Sequence, residues 1–225
     1  KTSCTDAFRQ AVELCHKTGG GYVDVPSGNF VTGTVELLDN VYLRMLPGSC
    51  ILGSLNYSDY YGSRRGCPWS NLGSHMLESV KETNSCKSLI LADNRTNCGI
   101  IGNGVIDGQR STVHGYDSEK GRPFLVVFSE CKNVLVKDVT LANPGMFTFY
   151  GLNCDTVHID RVKIQTADSW NGDGLDFDGG KNVTISNCII DSGDDGIGLK
   201  TLVPDEPCEN FTITNCVIRA KYWGA

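Results

Sequence analysis

The chain has 225 residues, of which 40% are hydrophobic, and a formal net charge of −6. This apolar content supplies a core, and the absence of a composition break predicts one domain over residues 1–225. No apolar run approaches the ~20 residues that span a bilayer, and the negative charge argues against a nucleic-acid surface. We therefore expect neither a membrane nor a nucleic acid as a partner, and we leave the oligomeric state open.

The first predicted element is an amphipathic helix over residues 4–17. Its apolar residues, including Phe8 and Val12, recur at helical spacing, and Gly19-Gly20-Gly21 follows as a stop signal. A short strand is predicted directly afterwards, from Tyr22 to Val25. A helix in this position can cover the open edge of a sheet, so we expect it to be an end cap.

Four strand segments in the second half of the chain align without gaps. Their register positions lie 23, 26 and 28 residues apart, at Val134, Val157, Val183 and Phe211. Periods of this size are typical of solenoids, in which each repeat buries its apolar face against its neighbours. The apolar residues alternate within each segment, which is strand periodicity. The stretches from Asn56 to Ser74 and from Gln109 to Pro123 are predicted to be insertions on one face of this solenoid.

Cysteine and asparagine residues repeat in the same register as the strands. We interpret them as buried ladders in which stacked small side chains fill the turns and asparagine amides bond to one another. The members are Cys131, Cys154, Gly180 and Cys208 in one column, Cys188 and Cys216 in a second, and Asn187 and Asn215 beside it.

The total of 11 cysteines is odd, so at least one thiol is unpaired unless a partner chain contributes. No Cys-x-x-Cys spacing occurs, which removes the common zinc and redox motifs. Nothing in the sequence demands a metal or another cofactor. We favour a secreted or cell-surface location.

An acidic motif is repeated once along the chain. Asp173-Gly174-Leu175 recurs as Asp195-Gly196-Ile197 after 22 residues, and Asp194 adds a third carboxyl group. Like charges repel, so a solvated structural surface would not ordinarily collect them. A site that needs one carboxyl protonated and another ionised benefits from their mutual perturbation. The repeat therefore predicts acid/base catalysis.

Strand alternation separates these acids. Asp194 has the outward parity of its strand, whereas Asp173 and Asp195 have inward parity and reach a cleft only if the preceding turn breaks the alternation. Asp176 and Asp178 also have outward parity. They are either substrate contacts or solvated residues, and for Asp178 we favour the solvated interpretation.

Several motifs taken together resemble the polygalacturonase family of glycoside hydrolases, family 28. The resemblance runs nearly from end to end, and the two acidic motifs match the family in both spacing and context. It implies an all-β fold, a right-handed parallel β-helix with an N-terminal capping helix, and hydrolysis of a pectic polysaccharide. The matching segments are Val25-Pro26-Ser27-Gly28, Asn103-Gly104-Val105-Ile106-Asp107-Gly108, Asn143-Pro144-Gly145, Asn171-Gly172-Asp173 and Gly193-Asp194-Asp195.

The resemblance also implies roles for the acids. Asp194 would be the general acid that protonates the leaving oxygen, and Asp173 and Asp195 would activate the attacking water. An inverting hydrolase needs two carboxyl groups roughly 6.5–9.5 Å apart, a range that side chains on successive coils can reach. The candidates for substrate contact are Asn171, Lys200, Arg219, Lys221 and Trp223.

The chain departs from the family at one motif. The family's Gly-His-Gly motif is expected one coil after Asp195, where Trp223 stands instead. A rhamnogalacturonan substrate is therefore as consistent with the sequence as a polygalacturonan. A later family motif would lie beyond Ala225, and we expect the chain to be a fragment truncated at the C-terminus and at the N-terminus.

Two alternatives to hydrolysis stay open. One is a calcium-dependent polysaccharide lyase that uses the acids to hold the ion and Arg219 or Lys221 as base. The other is a non-catalytic carbohydrate-binding β-helix, which the missing histidine motivates. Endo and exo action are not distinguished by the sequence.

Overall fold

The computed structural model describes residues 3–68, 86–109 and 122–221. Within these ranges one helix, α1 (Thr5–Lys17), is followed by parallel strands that wind into a right-handed β-helix of three sheets. This confirms the predicted all-β solenoid with an N-terminal cap. Each coil contributes one strand to each sheet in turn, so neighbours within a sheet are three strands apart in the chain.

The strands are numbered in chain order and grouped by sheet. Sheet A contains β1 (Gly21–Val25), β4 (Val41–Met45), β7 (Thr96–Gly102), β10 (Lys132–Lys137), β13 (Asp155–Asp160), β16 (Gly180–Ser186) and β19 (Cys208–Thr214). Sheet B contains β2 (Gly28–Thr32), β5 (Ser49–Gly53), β8 (Val105–Asp107), β11 (Thr140–Ala142), β14 (Lys163–Gln165), β17 (Ile189–Ser192) and β20 (Val217–Ala220). Sheet C contains β3 (Val35–Glu36), β6 (Ser88–Asp93), β9 (Phe124–Ser129), β12 (Phe149–Leu152), β15 (Leu175–Asp178) and β18 (Ile197–Lys200).

The repeat register read from the sequence is the register of sheet A. Val134 pairs with Val157, which pairs with Val183, which in turn pairs with Phe211. The three valines are fully buried. Burial of such side chains stabilises the fold by about 1.5–3 kcal/mol each, so the stacked columns supply a large part of the stability of the solenoid.

Asparagines occupy turn positions with a left-handed backbone, which they tolerate better than most residues. Asn187 has a φ of 57° and Asn215 a φ of 51°, and Asn215 Nδ2 donates to Asn187 Oδ1 at 2.6 Å. The neighbouring Cys188 is buried. The predicted bond between stacked asparagine amides is confirmed, but the prediction that these asparagines are buried is wrong, because Asn187 and Asn215 are both exposed.

Helix α1 covers the first coil. Its buried residues, Phe8 and Val12, face the core, and the Phe8 ring meets the edge of Phe30 at a centroid distance of 6.3 Å. The Cys4 amide donates to the Val31 carbonyl at 2.8 Å, which ties the start of the helix to β2. No helix in the described ranges is long and apolar enough to cross a membrane.

A second apolar cluster, the outer cluster, lies on the outer face of sheet C. Tyr150 and Leu152 belong to it, whereas Phe149, the residue before Tyr150, points into the main core, as strand alternation requires. A disulfide joins Cys67 to Cys86. The other nine cysteines are free, so the prediction of at least one unpaired thiol is confirmed. The described members of the outer cluster are Cys67, Cys86, Leu91, Phe124, Val127, Met146, Phe147, Tyr150 and Leu152.

Both predicted insertions connect a strand of sheet B to the following strand of sheet C, β5 to β6 and β8 to β9. The first contains a 3-10 turn at Tyr57–Asp59 and is described to residue 68. The second is described only at 109 and from 122 onward. The remaining parts of both insertions lie outside the described residues.

Candidate active site

The two acidic motifs lie side by side because their strands are neighbours in sheet C. Strand β15 pairs with β18 so that Leu175 stands opposite Ile197. Asp173 and Asp195 each precede their strand by two residues and therefore lie in turns, where strand alternation does not restrict them. The Gly174 amide donates to the Asp195 carbonyl at 2.8 Å, which holds the two turns together. Asp173 and Asp195 thus lie outside the alternation of their strands, which was the condition for them to reach a cleft despite their inward parity.

Glycines allow these turns to pack closely. A side chain on Gly193 would place its Cβ 1.9 Å from the Ser169 carbonyl oxygen, so no other residue fits there without moving the backbone. The Gly193 amide donates to the Gly172 carbonyl at 3.2 Å, and Thr166 Oγ1 donates to the same carbonyl at 2.7 Å. These hydrogen bonds fix the backbone of the residues that directly precede Asp173 and Asp194.

Lys200 lies among three carboxyl groups. Its Nζ forms a short ion pair with Asp176 and lies 3.6 Å from Asp195 Oδ2 and 3.7 Å from Asp173 Oδ2. The exposed fraction of the side chain is 15% for Lys200, 6% for Asp173, 0% for Asp176 and 31% for Asp195. Of these three acids, Asp195 is the one with substantial access to solvent.

Burial and mutual repulsion raise the pKa values of Asp173 and Asp176, the two most buried acids. Burial, followed by the charge of Asp176, raises the pKa of Asp173 to about 9. Burial also raises the pKa of Asp176, to about 6, although Lys200 opposes the rise. Asp173 Oδ1 and Asp176 Oδ2 are buried and have no partner while both groups are ionised, because two carboxylates cannot bond to each other. A proton on Asp173 would supply the donor that these two oxygens lack, and the interaction with Asp176 raises the pKa of Asp173.

Asp194 occupies a different environment. It is half-buried, and its Oδ2 accepts a hydrogen bond from Asn171 Nδ2 at 3.4 Å. Burial, followed by the charge of Asp195, raises the pKa of Asp194, and the Asn171 bond opposes that rise. A carboxyl group with a raised pKa and access to solvent is suited to donate a proton.

Arg122 supports Asn171 from the end of the second insertion. It is 5% exposed, and its guanidinium donates to the Gly145 carbonyl at 2.7 Å, to Asn171 Oδ1 at 3.0 Å and to the Trp170 carbonyl. It also lies 5.3 Å from the centre of the Trp170 ring. The sequence analysis missed Arg122 and Trp170, because no local pattern links Arg122 to a loop 49 residues further on.

The solvated interpretation of Asp178 is wrong. Asp178 is 1% exposed, and it accepts a hydrogen bond from Tyr150 Oη at 3.0 Å and another from the Leu202 amide at 2.8 Å. Its outward parity is as predicted, but the outer face of sheet C is covered at this point by the outer cluster and by the segment after β18. Strand parity predicts on which face of the sheet a side chain lies, but it does not predict which residues pack against that face.

The structure places some of the predicted substrate contacts in the site and others away from it. Asn171 and Lys200 lie in the site. Arg219 lies on β20 in sheet B, where its Nε donates to Asp191 Oδ1 at 2.7 Å, and Lys221 follows that strand at the surface. Trp223 lies outside the described residues.

The three buried or half-buried acids have the donor chemistry of a cation site. Oxygen atoms of Asp173, Asp176 and Asp195 lie within 4.8 Å of one another. Hard cations such as Ca²⁺ prefer such carboxylate oxygens. The ammonium of Lys200 already lies against all three groups, so a metal ion would compete with it for the same oxygens.

Comparison with known proteins identifies relatives that share this fold. The exo-poly-alpha-D-galacturonosidase of Dickeya chrysanthemi is 24% identical over 265 residues, which covers 96% of this chain and 43% of that protein. The polygalacturonase of Juniperus ashei is 36% identical over 117 residues, covering 47% of this chain and 23% of that protein. The structure of the family 28 exopolygalacturonase of Yersinia enterocolitica matches with a TM-score of 0.80 at 24% identity, covering 100% of this chain and 47% of that one.

The chain thus spans less than half the length of these relatives. The structural likeness, at this level of identity, shows the shared β-helix fold. The family assignment depends on sequence: the profile of Glycosyl hydrolases family 28 matches residues 62–220, a segment that makes up more than half of the chain and contains both acidic motifs. On this evidence the chain belongs to glycosyl hydrolases family 28.

Proposed function

We propose that the protein hydrolyses a pectic polysaccharide of the polygalacturonan or rhamnogalacturonan type by inverting acid/base catalysis. The family match and the relatives named as polygalacturonases support the substrate class. The observation that carries the chemistry is the difference in environment between two consecutive residues. Asp194 has a raised pKa, and Asp195 lies beside the ammonium of Lys200.

In this proposal Asp194 is the general acid. It protonates the glycosidic oxygen as the bond to the leaving sugar breaks, and Asn171 holds its carboxyl group in orientation. The raised pKa of Asp194 favours the protonated form that this step requires.

Asp195, supported by Asp173, activates the water that attacks the anomeric carbon. Asp195 is the more exposed of the two and is therefore the one that reaches the water. Asp173 lies in the same group of acids and is protonated near neutral pH, so it supports Asp195 within the cluster and does not itself take the proton from the water. An inverting reaction requires enough space between acid and base for that water.

The chemistry of the product tests this proposal. The complete protein is incubated with polygalacturonan and with rhamnogalacturonan, and reducing ends are counted while ultraviolet absorbance monitors unsaturated uronates. Hydrolysis predicts new reducing ends without unsaturated product, with or without a chelator, and an inverted anomeric configuration in the first product seen by NMR.

Each alternative has a distinct result. Unsaturated product that disappears with chelator would identify a lyase, and tight binding without any turnover would identify a carbohydrate-binding β-helix. Retained anomeric configuration would overturn the inverting mechanism while leaving hydrolysis intact.

A further inference from the structure

Lys200 was predicted to be a substrate contact, but its position is that of an internal group. Its side chain is 15% exposed, and its ammonium lies within ion-pair distance of Asp173, Asp176 and Asp195. The ammonium also lies 5.2 Å from the centre of the Phe147 ring, a member of the outer cluster. Acids and an aromatic ring thus surround the charge on the sides that the structure describes.

The local sequence allows this position. Lys200 and Gly198 lie on the same face of β18, and Gly198 is paired with Asp176 on β15. A Cβ on Gly198 would lie 2.0 Å from Asp176 Oδ1 and 2.4 Å from Lys200 Nζ. The lack of a side chain at Gly198 therefore opens the space through which Lys200 folds back to Asp176.

The charge balance of the cluster requires a cation. Asp176 is fully buried and Asp173 nearly so, and a buried carboxylate without a counter-charge is strongly unfavourable. Three carboxyl groups against one ammonium still leave an excess of negative charge, which the proton held by Asp173 reduces. Loss of Lys200 would leave the whole excess uncompensated.

We propose that Lys200 is the internal counter-ion of the carboxylate cluster, a positioning residue that acts on the reaction through Asp195 and Asp173 and does not bind the substrate. The proposal deepens the proposed hydrolase function and rests on it for its kinetic consequences. Its structural part concerns the cluster alone. An anionic polysaccharide approaching Lys200 would meet the carboxylates around it, which is unfavourable for a substrate contact.

The kinetic test compares Lys200→Met with Lys200→Arg in the complete protein. Lys200→Met should lower kcat about 100-fold while KM changes less than about threefold, because positioning of the reacting groups and not binding is lost. The acidic limb of the kcat profile should move up by about one pH unit, since a carboxylate without its counter-ion protonates more readily. Lys200→Arg keeps the positive charge, so it should retain most of the wild-type kcat and an acidic limb at the wild-type pH.

The matched control is Lys181→Met. Lys181 lies on β16 at the surface, 53% exposed, and pairs with Asp155 at 3.8 Å. Its replacement should leave kcat, KM and the pH profile unchanged. A rise in KM at constant kcat and an unmoved pH profile for Lys200→Met would overturn the proposal, because that is the result expected of a substrate contact.

A stability measurement separates this inference from the proposed function. Urea unfolding at neutral pH, without substrate, should show a lower midpoint for Lys200→Met and recovery toward wild type for Lys200→Met combined with Asp176→Asn, which removes both charges of the pair. This result supports the counter-ion role even if no substrate is hydrolysed. Equal midpoints for wild type and Lys200→Met, with no gain in the double variant, would overturn it. If Lys200→Met alone does not fold, folding of the double variant supports the proposal, and failure of both variants would contradict it.

Discussion

Asn171 shows how one side chain can serve two parts of the site. Its backbone adopts a left-handed conformation, with a φ of 49°, and its amide donates to Asp194 Oδ2. On the other side its Oδ1 accepts a hydrogen bond from Arg122. We therefore regard Asn171 as the group that orients the proposed general acid, in addition to its proposed role as a substrate contact.

Asn171→Gly tests this orientation. Glycine keeps the left-handed backbone accessible, so the change removes the amide alone. We expect kcat to fall about tenfold through poorer placement of Asp194. Because the lost hydrogen bond stabilised the ionised form of Asp194, its pKa should rise further, and the alkaline limb of the pH–rate profile should move to higher pH.

Asn187→Gly is the matched control, since Asn187 is an exposed asparagine with a similar φ of 57° outside the site. Its activity and pH profile should be those of wild type. An alkaline limb that stays in place in Asn171→Gly would mean that Asn171 does not act through Asp194.

At the level of single residues, the repeat predicted which acids lie near one another, and their catalytic roles stay a prediction. Asp173, Asp194 and Asp195 were identified because the motif recurs and because it resembles a known family, and the structure brings all three together. Asp176 and Lys200 have the outward parity that alternation predicts, but their pairing could not be predicted because it depends on the space above Gly198. Arg122 could not be predicted at all, since only the winding of the chain brings it to Asn171.

At the scale of elements, regular strands were more predictable than the surfaces they present. The columns of sheet A were read from the sequence in their exact pairing, from Val134 to Phe211, because each strand of a solenoid repeats the same apolar positions. Helix α1 was predicted to within one residue, because its apolar spacing and the glycines after it give clear bounds. Both signals are local in the chain.

The outer cluster had no such signal. Its members come from strands of several coils and from the insertion that carries the Cys67–Cys86 disulfide. Their burial depends on contacts between segments distant in sequence, which no periodicity reveals. The same covering of sheet C explains why Asp178, an outward-facing acid, is buried and bonded to Tyr150.

At the scale of the whole molecule, the buried acids make stability depend on pH. The ordinary pKa of aspartate is 3.8, whereas that of Asp173 is raised to about 9 and that of Asp176 to about 6. The folded state therefore binds more protons than the unfolded state between these values. Linkage then requires that the free energy of unfolding decreases as the pH rises from about 4 toward about 9.

Urea unfolding across this range should show the decrease, and the variant with both Asp173→Asn and Asp176→Asn should show a flatter dependence, because its two amides do not titrate. The surface ion pairs are unchanged in the variant, so their contribution cancels in the comparison. If the two proteins show the same slope, Asp173 and Asp176 do not hold their protons in the folded state.

The central claim is that Asp194 protonates the leaving oxygen during hydrolysis of a pectic polysaccharide. The most direct measurement is the rate of reducing-end release by the complete protein and by its Asp194→Asn variant, with Asp168→Asn, an exposed aspartate on the preceding turn, as control. We expect kcat to fall about 10²–10⁴-fold for Asp194→Asn, with an unchanged unfolding midpoint, and to stay at the wild-type value for Asp168→Asn. Undiminished release of reducing ends by Asp194→Asn would contradict the account.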